Sequence, residues 1–169
     1  MKKAAKKMIT EPFKMANKPI RNSAKAIIIR NNKILLTRNR DLIGDYFLLP
    51  GGGQNHKETL DKAIIRECRE ETGAIVKVGK LLFIREYIAQ NHDFGEFDSE
   101  IHQVEFIFEC DLIEDPSVDR QSEPDATQIS VDWIPVTDLS KIRFYPSVLS
   151  NILNSNFKHD SPSYLGDTL

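Results

Sequence analysis

The stretch from Gly52 to Ala74, GGQNHKETLDKAIIRECREETGA, constrains this chain more than any other. Within it, Arg66-Glu67-Cys68-Arg69-Glu70-Glu71-Thr72-Gly73 crowds three carboxylates into little more than one helical turn, just after the glycine-rich turn Pro50-Gly51-Gly52-Gly53. Residues three and four apart on a helix are neighbours, so Glu67, Glu70 and Glu71 fall on one face and repel one another. They also sit near the helix C-terminus, where the macrodipole opposes each anion by roughly 0.3–1 kcal/mol. Acids placed where both effects oppose them call for a cation.

The rest of the helix predicts which way those acids point. Thr59 suits the N-cap, Asp61 the first turn and Gly73 the residue after the last turn. Leu60, Ala63 and Ile64 form an apolar stripe that, at about 100° per residue, runs into Glu67, Glu70 and Glu71. Inward carboxylates need partners, because an unpaired buried charge costs several kcal/mol. Hard oxygen donors suit Mg²⁺, or Mn²⁺ in its place, better than zinc. The alternative is a surface helix with solvated acids neutralised by Arg66 and Arg69. It requires the glycine turn, the cap and the inward placement to be coincidental.

Gly52, five residues, Glu58, seven residues, then Arg66-Glu67-Cys68-Arg69-Glu70-Glu71-Thr72-Gly73-Ala74 resembles the Nudix box, with each fixed glycine, glutamate and arginine in place. Cys68 and Ala74 stand where the family usually has larger aliphatic residues. Weaker likeness runs from Ala24 to Pro146, including Leu48-Leu49-Pro50-Gly51-Gly52 before the box and Trp133-Ile134-Pro135 after it. The resemblance implies an α/β/α sandwich in which Glu67, Glu70 and Glu71 bind Mg²⁺ with the carbonyl of Gly51. It further implies that Arg66 orients the glutamates, that Glu58 fixes the loop, and that the reaction is hydrolysis of a nucleoside diphosphate linked to another moiety. It also allows a homodimer.

The chain of 169 residues is long enough for one domain with a substantial core. A net charge of −2 with 40% hydrophobic residues argues against nucleic-acid binding by bulk electrostatics. Cys68 and Cys110 are expected as reduced core thiols, consistent with a cytoplasmic location, and no segment approaches the length of a membrane span. Residues 1–20 read as a basic extension, 21–155 as a single hydrolase-like domain and 156–169 as a tail without apolar periodicity.

Along the domain, Ala24–Arg30 and Ile34–Thr37 read as strands around an Asn31-Asn32 turn, and Tyr46–Leu49 as a strand feeding the glycines. Ile75–Ala89 is extended with a bend at Gly79, and Ile101–Ile113 alternates. There His102, Val104, Phe106, Phe108 and Cys110 share one face, with Gln103, Glu105 and Glu109 on the other. Residues 114–125 form a loop, Gln128–Ile134 a strand, and Asp138–Ile142 and Pro146–Leu153 short helices. The expected fold class is α+β, with the Glu-rich helix laid on a mixed sheet.

Clustered carboxylates holding divalent ions beside a glycine-lined backbone (Gly51, Gly52, Gly53) make a site for phosphates. No Lys-Ser/Thr pair follows the glycines, so this is not a phosphate loop of the Walker type, and attack by water on a phosphoanhydride is favoured. Candidate general bases are a box glutamate, Asp93, Glu96, Asp98, Glu100, Glu86, His92 or His102. Candidate base-stacking aromatics are Phe47, Phe83, Tyr87, Phe106, Phe108, Trp133 and Tyr145. The leading expectation is an Mg²⁺-dependent pyrophosphohydrolase acting on a small nucleotide-type substrate: a nucleotide sugar, ADP-ribose or a non-standard nucleoside triphosphate. The alternatives are a non-catalytic nucleotide sensor and an RNA 5′-end pyrophosphohydrolase.

Overall fold

The computed structural model describes residues 19–92, 100–155 and 163–169. Its framework is two mixed β-sheets. The first has the order β10-β6-β7-β1-β5, built from β1 (Arg21–Ile27), β5 (Gly51–Gly53), β6 (Ile75–Ile88), β7 (His102–Glu114) and β10 (Tyr164–Asp167). The second comprises β2 (Ile29–Arg30), β3 (Lys33–Arg40), β4 (Asp45–Leu48) and β9 (Phe144–Tyr145), with β8 (Gln128–Pro135) paired to β3. Helix α1 (Leu60–Thr72) lies against the first sheet, and α2 (Val148–Asn154) packs into the other core. The fold class is α+β, as the sequence predicts, with two mixed sheets in place of one.

Two cores explain the layering. Beneath α1, Ala24, Ala26 and Ile28 meet Ala63, Ile64 and Cys68. The small side chains on both elements let helix and strand approach closely. On the other side Ile27, Ile34, Leu36, Phe47, Phe83, Ile107, Leu149 and Leu153 form the second core. The apolar run 24–30 therefore serves two sheets, because the chain passes from β1 to β2 at Ile28, whose carbonyl accepts from Leu35 N at 3.0 Å. The Asn31-Asn32 turn has φ of 52° and 61°, the left-handed pair that a tight hairpin requires.

Three expectations change. Gly51–Gly53 is a strand antiparallel to β1, with Gly52 opposite Ala24, and not a turn. The polar face assigned to β7 holds Glu105 and Ile107, both buried, because β7 lies inside its sheet with both faces covered. The tail expected over 156–169 becomes a strand at Tyr164–Asp167, parallel to β6. Polar anchoring holds it there: Asp167 Oδ1 accepts from Ile88 N at 3.0 Å and its Oδ2 from Asn91 Nδ2 at 2.7 Å. The bend at Gly79 falls in the register shift between Val78 and Leu81. Both cysteines are free and buried. Among the described residues no helix is long and apolar enough to cross a membrane.

Candidate active site

Helix α1 starts at Thr59, which makes no side-chain cap bond, and ends at Gly73, whose φ of 67° and N–H to Arg69 O close the last turn. Its buried face is Ala63, Ile64, Cys68, Glu71 and Thr72. Of the three acids only Glu71 is fully inward, at 5% exposure. Glu67 and Glu70 lie on the rim of that face, because Cys68, one turn after Ile64, takes the centre of the stripe.

A guanidinium gathers the rim acids. Arg66 Nη1 donates to Glu67 Oε1 at 2.7 Å and to Glu70 Oε2 at 2.9 Å, while Nε and Nη2 grip Glu58 at 2.9 and 3.0 Å. Nη2 also donates to Gly53 O at 3.0 Å, tying helix to glycine strand. The Glu58 bond first, then those to Glu67 and Glu70, hold Arg66 above its ordinary pKa, and the same Arg66 bond holds Glu58 below the carboxylate range. Glu58 further accepts from Asn55 N at 2.9 Å, which fixes the loop before the helix.

Glu71 has a different partner. Its Oε2 accepts from Gly51 N at 2.9 Å. Burial pushes its carboxyl up to about 7, with Asp125 and Glu67 adding to the rise while Lys25 and the Gly51 N–H oppose it. Lys25 Nζ in turn donates to the carbonyl of Gly51. Gly51 has φ of 126°, and a side chain there would run into the Ala24 carbonyl. A Cβ on Gly52 would lie 2.6 Å from the Glu67 carboxyl, so this glycine is the cradle in which that carboxylate rests. At Gly53 the space is filled by the Arg21 guanidinium.

The donor set suits a hard divalent ion: three carboxylates and a main-chain carbonyl, all oxygen, beside a bare glycine backbone. Among the described residues no three His, Cys, Asp or Glu side chains enclose an ion by themselves. Glu67 and Glu70 are instead paired with Arg66, and Glu71 accepts from the Gly51 N–H while the charge of Lys25 partly offsets the cost of its burial.

Lys25 also lines a cavity of about 360 Å³ to which both sheets contribute. Tyr46, Tyr87 and Tyr145 line it, together with the buried Arg85–Glu105 ion pair. Burial drives the Glu105 carboxyl up, but Arg85, Lys25 and Gln103 together outweigh it and hold the group below its ordinary value, Gln103 Nε2 donating at 2.8 Å. Tyr46 and Tyr145 are tilted at 57° with centroids 6.4 Å apart, and Arg85 lies 5.6 Å from the Tyr87 ring centre. Of the aromatics the sequence nominates, Tyr87 and Tyr145 line this cavity. Phe47 and Phe83 belong to the core, and Phe106, Phe108 and Trp133 are partly exposed, Phe108 and Trp133 packing beneath α1. The sequence motifs do not point to Tyr46, Lys25, Arg85 or Glu105 as site residues. A lysine and an arginine within apolar strand runs are the signal that could have found them.

Of the other candidate bases, His92, His102 and Glu86 bond to groups other than the α1 carboxylates. His102 Nε2 bonds Glu86 at 3.1 Å, and Glu86 also accepts from Tyr164 OH at 3.0 Å. His92 bonds Asp167 at 2.8 Å and stacks on Tyr87. Glu100 lines a broad groove shared with His102 and Glu58. Asp93, Glu96 and Asp98 lie outside the described residues.

Known proteins resemble this chain in sequence and in fold. The NUDIX domain family profile matches residues 19–152. An ADP-ribose pyrophosphatase from Methanocaldococcus jannaschii is 36% identical over 88 residues, covering 52% of this chain and 48% of that protein, so the chain spans about half the length of that curated relative. A NUDIX hydrolase from Nitrosomonas europaea superposes with a TM-score of 0.66 at 18% identity, covering 82% of this chain and 88% of that one. A MutT NUDIX hydrolase from Burkholderia pseudomallei gives 0.61 at 24%, covering 79% and 96%. The two structures share the fold. With the profile spanning most of its length and the glycine strand, arginine clasp and acidic helix in place, the chain belongs to the NUDIX hydrolase family.

Proposed function

We propose that the protein is a divalent-metal-dependent pyrophosphohydrolase that cleaves the phosphoanhydride bond of a nucleoside diphosphate linked to another moiety, using Mg²⁺, with Mn²⁺ as a substitute. NUDIX enzymes generally use divalent metals. The observation that carries the reading is the double role of Gly51. Its N–H meets the buried acid of α1 and its carbonyl meets Lys25, which lines the tyrosine-walled cavity. An acidic centre thus adjoins a cavity of about 360 Å³, a size suited to a small ligand.

Glu67, Glu70, Glu71 and the Gly51 carbonyl would hold the ion. When bound, it neutralises phosphate oxygens, polarises phosphorus and lowers the pKa of a bound water. Arg66 keeps Glu67 and Glu70 in place against their mutual repulsion, and Glu58 keeps Arg66 in place. The missing side chains of Gly52 and Gly53 leave room for the Glu67 carboxylate and the Arg21 guanidinium close to the backbone, where both could face a pyrophosphate. Lys25 supplies a positive charge between the carboxylates and the cavity, where the phosphate nearer the nucleoside would lie. Tyr46, Tyr87 and Tyr145 offer flat faces to a nucleobase.

The test is a panel of ADP-ribose, nucleotide sugars and non-standard nucleoside triphosphates incubated with Mg²⁺, with nucleoside monophosphate release as the readout. ADP-ribose comes first because a relative is an ADP-ribose pyrophosphatase. Release of monophosphate from a member of the panel supports the reading. Tight binding with no product from any compound would overturn it in favour of a nucleotide-sensing module.

A further inference from the structure

The cavity has a wall that lies outside the NUDIX match, which stops at residue 152. The segment 163–169 enters at Ser163, whose carbonyl accepts from Ile84 N at 2.7 Å, and runs along the edge of β6 as β10. Asp167 then fixes it three times, to Ile88 N, Asn91 and His92. Thr168 N donates to Glu86 O at 3.3 Å, and its carbonyl accepts from Arg85, a residue lining the cavity. Finally the Leu169 carbonyl accepts from Ser147 N at 2.9 Å, at the start of α2, and Leu169 itself lines the cavity. In seven residues the chain crosses from the edge of the first sheet to the start of α2.

Thr168 still bonds β6, through Glu86 O and the Arg85 side chain, whereas Leu169 reaches a different element, Ser147 at the start of α2. The anchor also touches the cavity from behind. His92, held by Asp167, stacks on Tyr87 with ring centres 5.4 Å apart and planes 4° from parallel, and Tyr87 is itself a cavity residue. One acid therefore positions both Leu169 and the neighbour of an aromatic wall.

We infer that residues 163–169 form a specificity-determining strap of the substrate cavity, in which Leu169 sets the size of nucleobase accepted. This rests on the pyrophosphohydrolase reading for its substrate class, and on the strap's own contacts for everything else. A strap of purely structural function would leave base preference unchanged.

ADP-glucose and UDP-glucose carry the same pyrophosphate and the same sugar and differ only in the base. The proposal expects Leu169→Trp to narrow the cavity, so that the ratio of kcat/KM for ADP-glucose to that for UDP-glucose falls about tenfold, chiefly through KM. Leu169→Ala shifts the ratio the other way. Equilibrium binding of AMP and UMP to the same proteins gives the corresponding ratio of Kd values without requiring turnover. Ratios within about twofold of wild type, in both assays and in folded variants, would overturn the strap as a specificity element. If Leu169→Trp does not fold, Leu169→Ala decides the matter alone. Where wild-type protein hydrolyses neither sugar but binds AMP and UMP, the Kd ratios decide the strap, and the full substrate panel decides the enzymatic reading. Wild-type protein that releases product from no panel compound and binds neither monophosphate overturns both.

Discussion

Gly51 N donates to Oε2 of Glu71 at 2.9 Å, so the most buried acid of α1 is coupled to the first residue of the glycine strand. The same glycine accepts from Lys25, which lines the tyrosine cavity. One residue thus links the acidic helix to the edge of the cavity.

That relationship makes two adjacent glycines respond differently to the same methyl group. At Gly51 the φ of 126° and the Ala24 backbone leave no room, so Gly51→Ala should lower stability by about 3 kcal/mol, read from the urea unfolding midpoint. At Gly52 the obstacle is the end of a flexible side chain, the Glu67 carboxyl at 2.6 Å, which can swing aside. Gly52→Ala should stay within about 1 kcal/mol of wild type yet lose turnover by about tenfold or more, because Glu67 is displaced.

Arg66 makes five bonds with three acids and one carbonyl, a geometry that a planar fork of donors can reach and a single ammonium cannot. Arg66→Ala should lower kcat by about 10²-fold or more, and Arg66→Lys should recover no more than about a tenth of the activity lost. Full activity in Arg66→Lys would show that charge alone suffices.

The Asp167 anchor gives a pH dependence with a definite sign. Burial raises its carboxyl, but the bonds from Asn91, Ile88 N and His92 outweigh it and bring the group from 3.8 down to about 2. A carboxyl lowered on folding contributes stability that is complete above its unfolded value and is lost as pH falls through the folded one. Melting temperatures measured from pH 5 to pH 2 should therefore converge for wild type and Asp167→Asn at the acid end, with wild type the more stable above about pH 4.

The acidic helix was legible in the sequence because its signals are local: a periodic apolar stripe, a C-terminal glycine and acids at fixed spacing. What the sequence did not disclose is assembled from afar. Lys25, Tyr46, Arg85, Glu105 and Tyr145 lie on five different strands, and no spacing along the chain relates them. Alternation misled at β7, where burial on both faces hides Glu105, and at β10, where a four-residue strand is held by the side chain of Asp167 and not by apolar periodicity. The run at 24–30 has the composition of one strand, yet its two halves pair in different sheets because the chain turns out of plane at Ile28.

Divalent-ion dependence of nucleotide cleavage tests the central claim most directly. Protein freed of metal with a chelator should release no monophosphate from its best substrate, and Mg²⁺ should restore release in wild type. Glu70→Gln and Glu71→Gln, folded as judged by their melting curves, should remain lower by at least about 10²-fold at the same Mg²⁺ concentration. Cleavage that persists in the chelator, or that survives in both variants at the wild-type rate, would contradict the assignment of the α1 carboxylates as the centre of catalysis.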